Sequence, residues 1–209
     1  MTFRSTRACS SGAATRLAAT RHWLNTIVLA ERLCPFAAAP VASPTKLRMR
    51  ASEATDVASL TAELTEEADL LAGSGAEDAG APEHETMLLV LPEVAWCIEW
   101  PQLVSMSWTL QAEAIAARGH GQTLQIVLFH PSAVRSTYAA GPADAADYAL
   151  RSPFPVVQLL REVDLLDAVR AHPDSGGIPA RNAARLRALG EDRCRERLEA
   201  CLAASASLR

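Results

Sequence analysis

Nothing in the 209 residues approaches the roughly 20 consecutive apolar side chains of a membrane-spanning helix, so the reading is of a soluble chain. Basic excess is missing too. The formal charge is −4 and the isoelectric point about 5.7, which argues against a dedicated nucleic-acid surface. Five cysteines (Cys9, Cys34, Cys97, Cys194, Cys201) include no Cys-x-x-Cys pair, which excludes zinc-ribbon and thioredoxin-type sites. No apolar signal-peptide core opens the chain, so a reducing compartment and free thiols are expected. Lysine is nearly absent: Lys46 is the only one among 20 basic residues, a bias of composition with no functional content. Residues 1–30 contain no acidic side chain but carry Arg4, Arg7, Arg16 and Arg21. That pattern fits an organellar transit sequence, or an N-terminus running into a first helix. The location is thus an organelle (plastid or mitochondrion) or the cytoplasm.

Familiar catalytic signatures are also lacking. There is no Gly-x-Gly-x-x-Gly, no Gly-Lys-Ser/Thr phosphate loop, no Gly-x-Ser-x-Gly and no His-Glu-x-x-His. Dinucleotide, nucleotide, serine-hydrolase and zinc-protease chemistry have no support, and no cofactor or metal is assigned.

What remains reads as an α/β domain over residues 14–190, behind an N-terminal tail (1–13) and ahead of a C-terminal helix (191–209). Trp23, Ile27 and Ala30 recur at helical spacing between Ala14 and Leu33, and Pro35 ends that helix. Alternation over Lys46–Ala51 predicts a short strand, and Asp56–Ala72 a polar helix with Leu60, Leu64 and Leu71 on one side. Gly73–Glu85 is an acidic loop. Thr86–Leu91 and Leu124–Phe129 are continuous apolar runs ended by proline, which suits buried strands. A helix over Trp96–Arg118 lies between them, its tryptophans on a packed face. Ser152 and Pro153 look like an N-cap and first helical residue, predicting a helix over Pro155–Arg170. Two charged helices follow, Pro179–Leu189 and Asp192–Ala204. The expected sheet has about three strands flanked by helices, with its last two strands parallel, and the C-terminal region is helical.

Four blocks stand out: Leu33-Cys34-Pro35-Phe36-Ala37; Phe129-His130-Pro131; Asp147 to Pro155 with Leu159-Leu160-Arg161-Glu162; and Ile178-Pro179-x-Arg181-Asn182. In order and spacing they resemble the domain-of-unknown-function family numbered 1415, found in bacteria, plants and algae, from about Ala14 to Gly190. The resemblance implies a cytosolic or organellar domain and brings no established activity. Many bacterial members read Asn-Tyr-Thr-Asn-Arg-Ser-Pro at residues 147–153, so Tyr148, Arg151, Ser152 and Pro153 carry over. The form here is closer to the plant and algal branch. A histidine often precedes the Leu-Leu-Arg-Glu block; Gln158 takes its place and weakens any shared histidine metal site.

Four of these residues suit chemistry. His130, after an apolar strand, fits an acid–base group in the crevice beyond the strand ends, or a capping residue. Cys34 ends a helix, as a nucleophile or ligand, or as a small buried apolar residue. Arg151 fits an anion clamp beside a helix N-terminus, or a salt bridge to Asp147 or Glu162. Arg161 and Glu162 line the same crevice or pair with Arg181. Tyr148, Tyr138 and Asn182 are supporting candidates. His22, His84 and His120 are read as surface or loop residues, and Cys194 and Cys201 as core packing or solvent-facing. Two functions follow: a small enzyme acting on an anionic small molecule, with His130 and Cys34 catalytic and Arg151, Tyr148 and Arg161 binding; or a non-catalytic ligand-binding or assembly domain whose motif residues are structural.

The first dozen residues have no periodic apolar face. Truncation to Gly12 is expected to leave the melting temperature within a couple of degrees of the full chain. A large drop in differential scanning fluorimetry would show that the segment packs on the fold.

Overall fold

The computed structural model describes residues 5–73, 84–94, 97–135 and 144–206. Seven α-helices and four strands are present among them, in the order α1 (Ser5–Trp23), α2 (Ala38–Ala42), β1 (Leu47–Ala51), α3 (Val57–Ala72), β2 (Thr86–Val90), α4 (Trp100–Leu110), β3 (Leu124–Phe129), β4 (Val156–Arg161), α5 (Glu162–Ala171), α6 (Ile178–Leu189) and α7 (Glu191–Ala206). The fold is α/β, with one strand more than expected. The acidic loop, apart from Gly73, His84 and Glu85, lies outside the described residues, as do Trp96 and Tyr138.

The extra strand is β4, where a helix was predicted to begin. Val156, Leu159, Leu160, Val163 and Leu166 fit helical spacing. Yet Val156-Val157-Gln158-Leu159-Leu160 is also a short run rich in branched side chains, which periodicity cannot separate from a buried strand. Pairing decides it: Val156–Arg161 is hydrogen-bonded to β2 on one side and β3 on the other. Ser152 is accordingly no N-cap: its hydroxyl donates to the Phe154 carbonyl at 2.6 Å. The helix starts only at Glu162.

The sheet runs β1-β2-β4-β3. β1 and β2 are parallel, with Leu47 opposite Thr86. β4 is antiparallel to both its neighbours, with Thr86 opposite Leu160 on one side and Leu124 opposite Arg161 on the other. The expected parallel pairing of β2 with β3 is therefore replaced: they point the same way, but β4 lies between them. The order follows burial. β2 is buried throughout and Val156, Val157 and Leu159 are fully buried, whereas β3 is mostly half-exposed and takes an edge.

Period-two alternation divides the core. Met87, Leu89, Leu91, Leu124, Val157 and Leu159 meet α3 and α4 on one face. Leu47, Leu88, Val90, Val156 and Phe129 meet α1 and its π-helical continuation, Leu24–Leu29, on the other. α7 packs on α1, and its Cys194 and Cys201 are both buried, which decides between core packing and solvent. Trp100 is buried, but Trp108 is 76% exposed, so that tryptophan does not share the packed face.

α3 is defined at both ends. The Asp56 carboxylate accepts the Ser59 N–H at 2.7 Å, Ser59 Oγ accepts the Asp56 N–H at 3.2 Å, and Gly73 closes the helix at φ 75°. Its Glu67, 1% exposed, takes Arg48 Nε at 2.6 Å and Arg50 Nη1 at 3.0 Å, tying α3 to edge strand β1. Burial pushes this carboxyl up, but the hydrogen bonds and charges of Arg48 and Arg50 outweigh burial and leave it below its ordinary value.

Removing the carboxylate leaves two guanidinium groups without their shared partner. Both arginines are partly solvated, so Glu67→Gln is expected to cost about 2 kcal/mol near neutral pH, less than a fully buried pair. A depressed carboxyl stabilises the fold above the unfolded value of about 4.3 and loses that contribution as pH falls through the native value. Urea unfolding of both proteins from ~pH 7 to ~pH 3 checks this: the gap should shrink with acid, and a constant gap would contradict it.

Candidate functional site

The second sheet face is not filled completely. Between it, the π-helical turn after α1, α2 and α5 lies a hollow of about 370 Å³. Trp23, Leu24, Val28, Leu33, Phe129 and Leu150 belong to its apolar wall. Glu85 and Thr86 at the start of β2, Gln158 midway along β4, Arg161 at its end and Asp164 in α5 supply the polar part of the wall. Ligand sites commonly combine about 300–1,000 Å³, an apolar wall and a few placed polar groups.

Cys34 forms part of this wall, and local backbone geometry puts it there. The Arg32 N–H reaches the Leu29 carbonyl at 3.0 Å and the Leu33 N–H reaches Val28 at 2.9 Å, closing the helix as a Schellman motif. The left-handed position falls on Arg32, at φ 52°, not on a glycine. A side chain in that region costs about 1 kcal/mol or more, so other contacts must hold it. Asn182 of α6 donates to the Leu33 carbonyl at 2.6 Å, Arg185 donates to the Glu31 carbonyl, and Arg197 of α7 pairs with the Glu31 carboxylate. Phe36 meets the His172 ring edge-on at 5.8 Å. The first motif block is thus clamped by the fourth. Burial pushes the Cys34 thiol up, more than the Phe36 and Ala37 N–H groups lower it. It is a neutral thiol at neutral pH, which is a weak nucleophile.

His130 lies elsewhere. Phe129 packs edge-on to Trp23 at 5.2 Å on the cavity side, and the next residue turns to the opposite face. There the His130 ring, 2% exposed, sits 6.1 Å from the Trp100 ring. Its Nδ1 accepts the Ser132 N–H at 3.0 Å, so the proton is on Nε2, which donates to the Cys97 carbonyl at 3.1 Å. Burial lowers its proton affinity further, against the carbonyls of Cys97 and Ile98.

Arg151 and Tyr148 brace the same loop. Arg151 Nε donates to the Ala133 carbonyl at 3.1 Å, and its guanidinium lies 4.4 Å above the centre of the Tyr148 ring. Asp147, 4.0 Å from Arg151, accepts the Arg135 N–H at 2.9 Å. Neither Arg151 nor Tyr148 is at a helix N-terminus or in the cavity wall.

Of the residues singled out by sequence, Cys34 and Arg161 share the cavity, while His130, Arg151 and Tyr148 do not line it. Arg161 pairs with Asp164 at 2.5 Å, and Arg181 with Asp174, so the expected pairing with Arg181 is replaced by closer carboxylates. His120 is buried rather than a loose loop residue, with Nε2 2.8 Å from Asp69. Among the described residues no three His, Cys, Asp or Glu side chains converge on a metal position.

Phe36, Thr86 and Asp164 were missed as cavity residues, and Gln158 was read only as a departure from the family pattern. Gln158 had a signal: an amide inside the apolar run of a central strand needs a partner. It finds one in Thr86, whose Oγ1 accepts the Gln158 N–H at 2.9 Å and donates to the Leu159 carbonyl at 2.9 Å.

The family model described as a protein of unknown function, DUF1415, matches residues 15–196, which contain all four motif blocks. No curated protein and no solved structure matches.

Asn182→Ala removes the clamp on Leu33. It is expected to cost about 1 kcal/mol and to speed modification of Cys34 by a disulfide reagent, because the loop then opens more often. Labelling followed by mass spectrometry reads this residue by residue. An unchanged Cys34 rate would show that Asn182 does not hold the loop.

Proposed function

The chain belongs to the DUF1415 family, and we propose that it is a small-molecule-binding domain whose cavity takes a compact, largely apolar ligand. One observation carries the reading: a hollow of about 370 Å³ in the second core layer, apolar over most of its wall, with a few polar side chains in the rest. The hollow opens to solvent, so its apolar wall lacks dispersion partners that a ligand would supply. The charges at the rim support an uncharged or internally balanced ligand over the simple anion expected from sequence. Arg161 is already matched by Asp164, and Glu85 by Lys46. The motif residues then serve as scaffold: Asn182 holds the Cys34 wall, and Arg151 with Asp147 holds the loop after His130.

A thiol-dependent enzyme is the second reading. It draws support from Cys34 in the cavity wall. Its proposed partners His130 and Arg151 are committed to the Cys97 and Ala133 carbonyls.

The neutral fluorescent probe N-phenyl-1-naphthylamine should bind saturably to the full chain. Ala168→Trp, which places an indole in the cavity from α5, should abolish that binding without loss of helical circular dichroism. Cys34→Ser should leave it within about twofold, since a hydroxyl preserves the wall. Equal binding to Ala168→Trp would place the probe elsewhere and remove the basis of this reading.

A further inference from the structure

Charge in the polar part of the wall is arranged in a way that a purely apolar ligand would not use. Arg161 contributes only Nε to Asp164 Oδ2, at 2.5 Å. The outer guanidinium edge of Arg161 (Nη1 and Nη2) and Oδ1 of Asp164 have no partner among the described residues. The Gln158 amide is oriented too. Thr86 spends its single proton on the Leu159 carbonyl, so it can only accept from Gln158 Nε2, leaving Gln158 Oε1 as an acceptor. Arg161, Asp164 and Gln158 thus bring a planar double donor and two open acceptor oxygens to one cavity whose wall also carries Trp23, Leu24 and Phe129.

A planar guanidinium edge matches a carboxylate, and adjacent acceptor oxygens match an ammonium. A ligand with a carboxylate alone would meet Asp164 as a like charge. An amine alone would leave the Arg161 edge unmatched in a partly desolvated site. Resting on the binding reading above, we infer that the ligand is a zwitterion: an α-amino acid with an aromatic or branched apolar side chain. Its carboxylate lies on Arg161, its ammonium on Asp164 and Gln158, and its side chain against the apolar wall.

Competition against bound N-phenyl-1-naphthylamine tests this with L-phenylalanine, 3-phenylpropionate and 2-phenylethylamine. The second lacks the ammonium and the third the carboxylate. L-Phenylalanine should compete at least about tenfold better than either, the loss expected when one charged hydrogen-bonding group goes unmatched. Asp164→Asn should narrow the gap between L-phenylalanine and 3-phenylpropionate, and Arg161→Gln the gap between L-phenylalanine and 2-phenylethylamine. If the probe binds but the three compounds compete equally, or none competes, the zwitterion assignment is overturned while the cavity reading stands. If neither rim variant shifts the ranking, the assignment is likewise overturned. If the probe itself does not bind, the cavity reading fails first.

Discussion

A β-strand sends alternate side chains to opposite faces, and this period separates the motif residues into two groups with different work. Phe129 faces the cavity and His130 faces Trp100, one residue apart and on different sides of the sheet. Gln158 falls on the cavity side because Val157 and Leu159 are committed to the opposite core. A one-residue slip of β4 would bury the amide under α3 and turn the core residues to the hollow. The register of β4 against β2 therefore places the polar part of the cavity wall, and Thr86 opposite Leu160 holds it.

Helices around the hollow reflect its presence. α5 has no buried residue: Asp164, Leu165 and Ala168 look onto the cavity, while Val163 and Leu166 are exposed. A helix gains most of its stability from packing an apolar face, so α5 is a natural place for a ligand to add contacts. The opposite layer is built differently. α3 buries Leu60, Leu64, Ala68 and Leu71 and is locked to β1 through Glu67. One layer is a finished core and the other is a wall around a space.

How much of this was legible in the sequence varied with the kind of signal. α3 announced itself by Asp56, three spaced leucines and Gly73, and the apolar runs of β2 and β3 were bounded by Pro92 and Pro131. The β4 run carried both periods at once, and only pairing with β2 and β3 resolves it, since that is a tertiary choice. The motif blocks were visible as blocks, but their roles were not. Asn182 and Leu33 are 149 residues apart, and nothing local in either shows that one holds the other. The His130 ring depended on the same problem, because its partner, the Cys97 carbonyl, is a backbone atom 33 residues away.

A crystal structure of the full chain with an aromatic amino acid tests the central claim most directly. The account predicts a ligand ring against the Trp23–Phe129 pair, its charged end at Arg161 and Asp164, and His130 still bonded to the Cys97 carbonyl on the far side of the sheet. Phe36 or Leu165 packed into the hollow in place of a ligand, with nothing bound at Arg161, would contradict it.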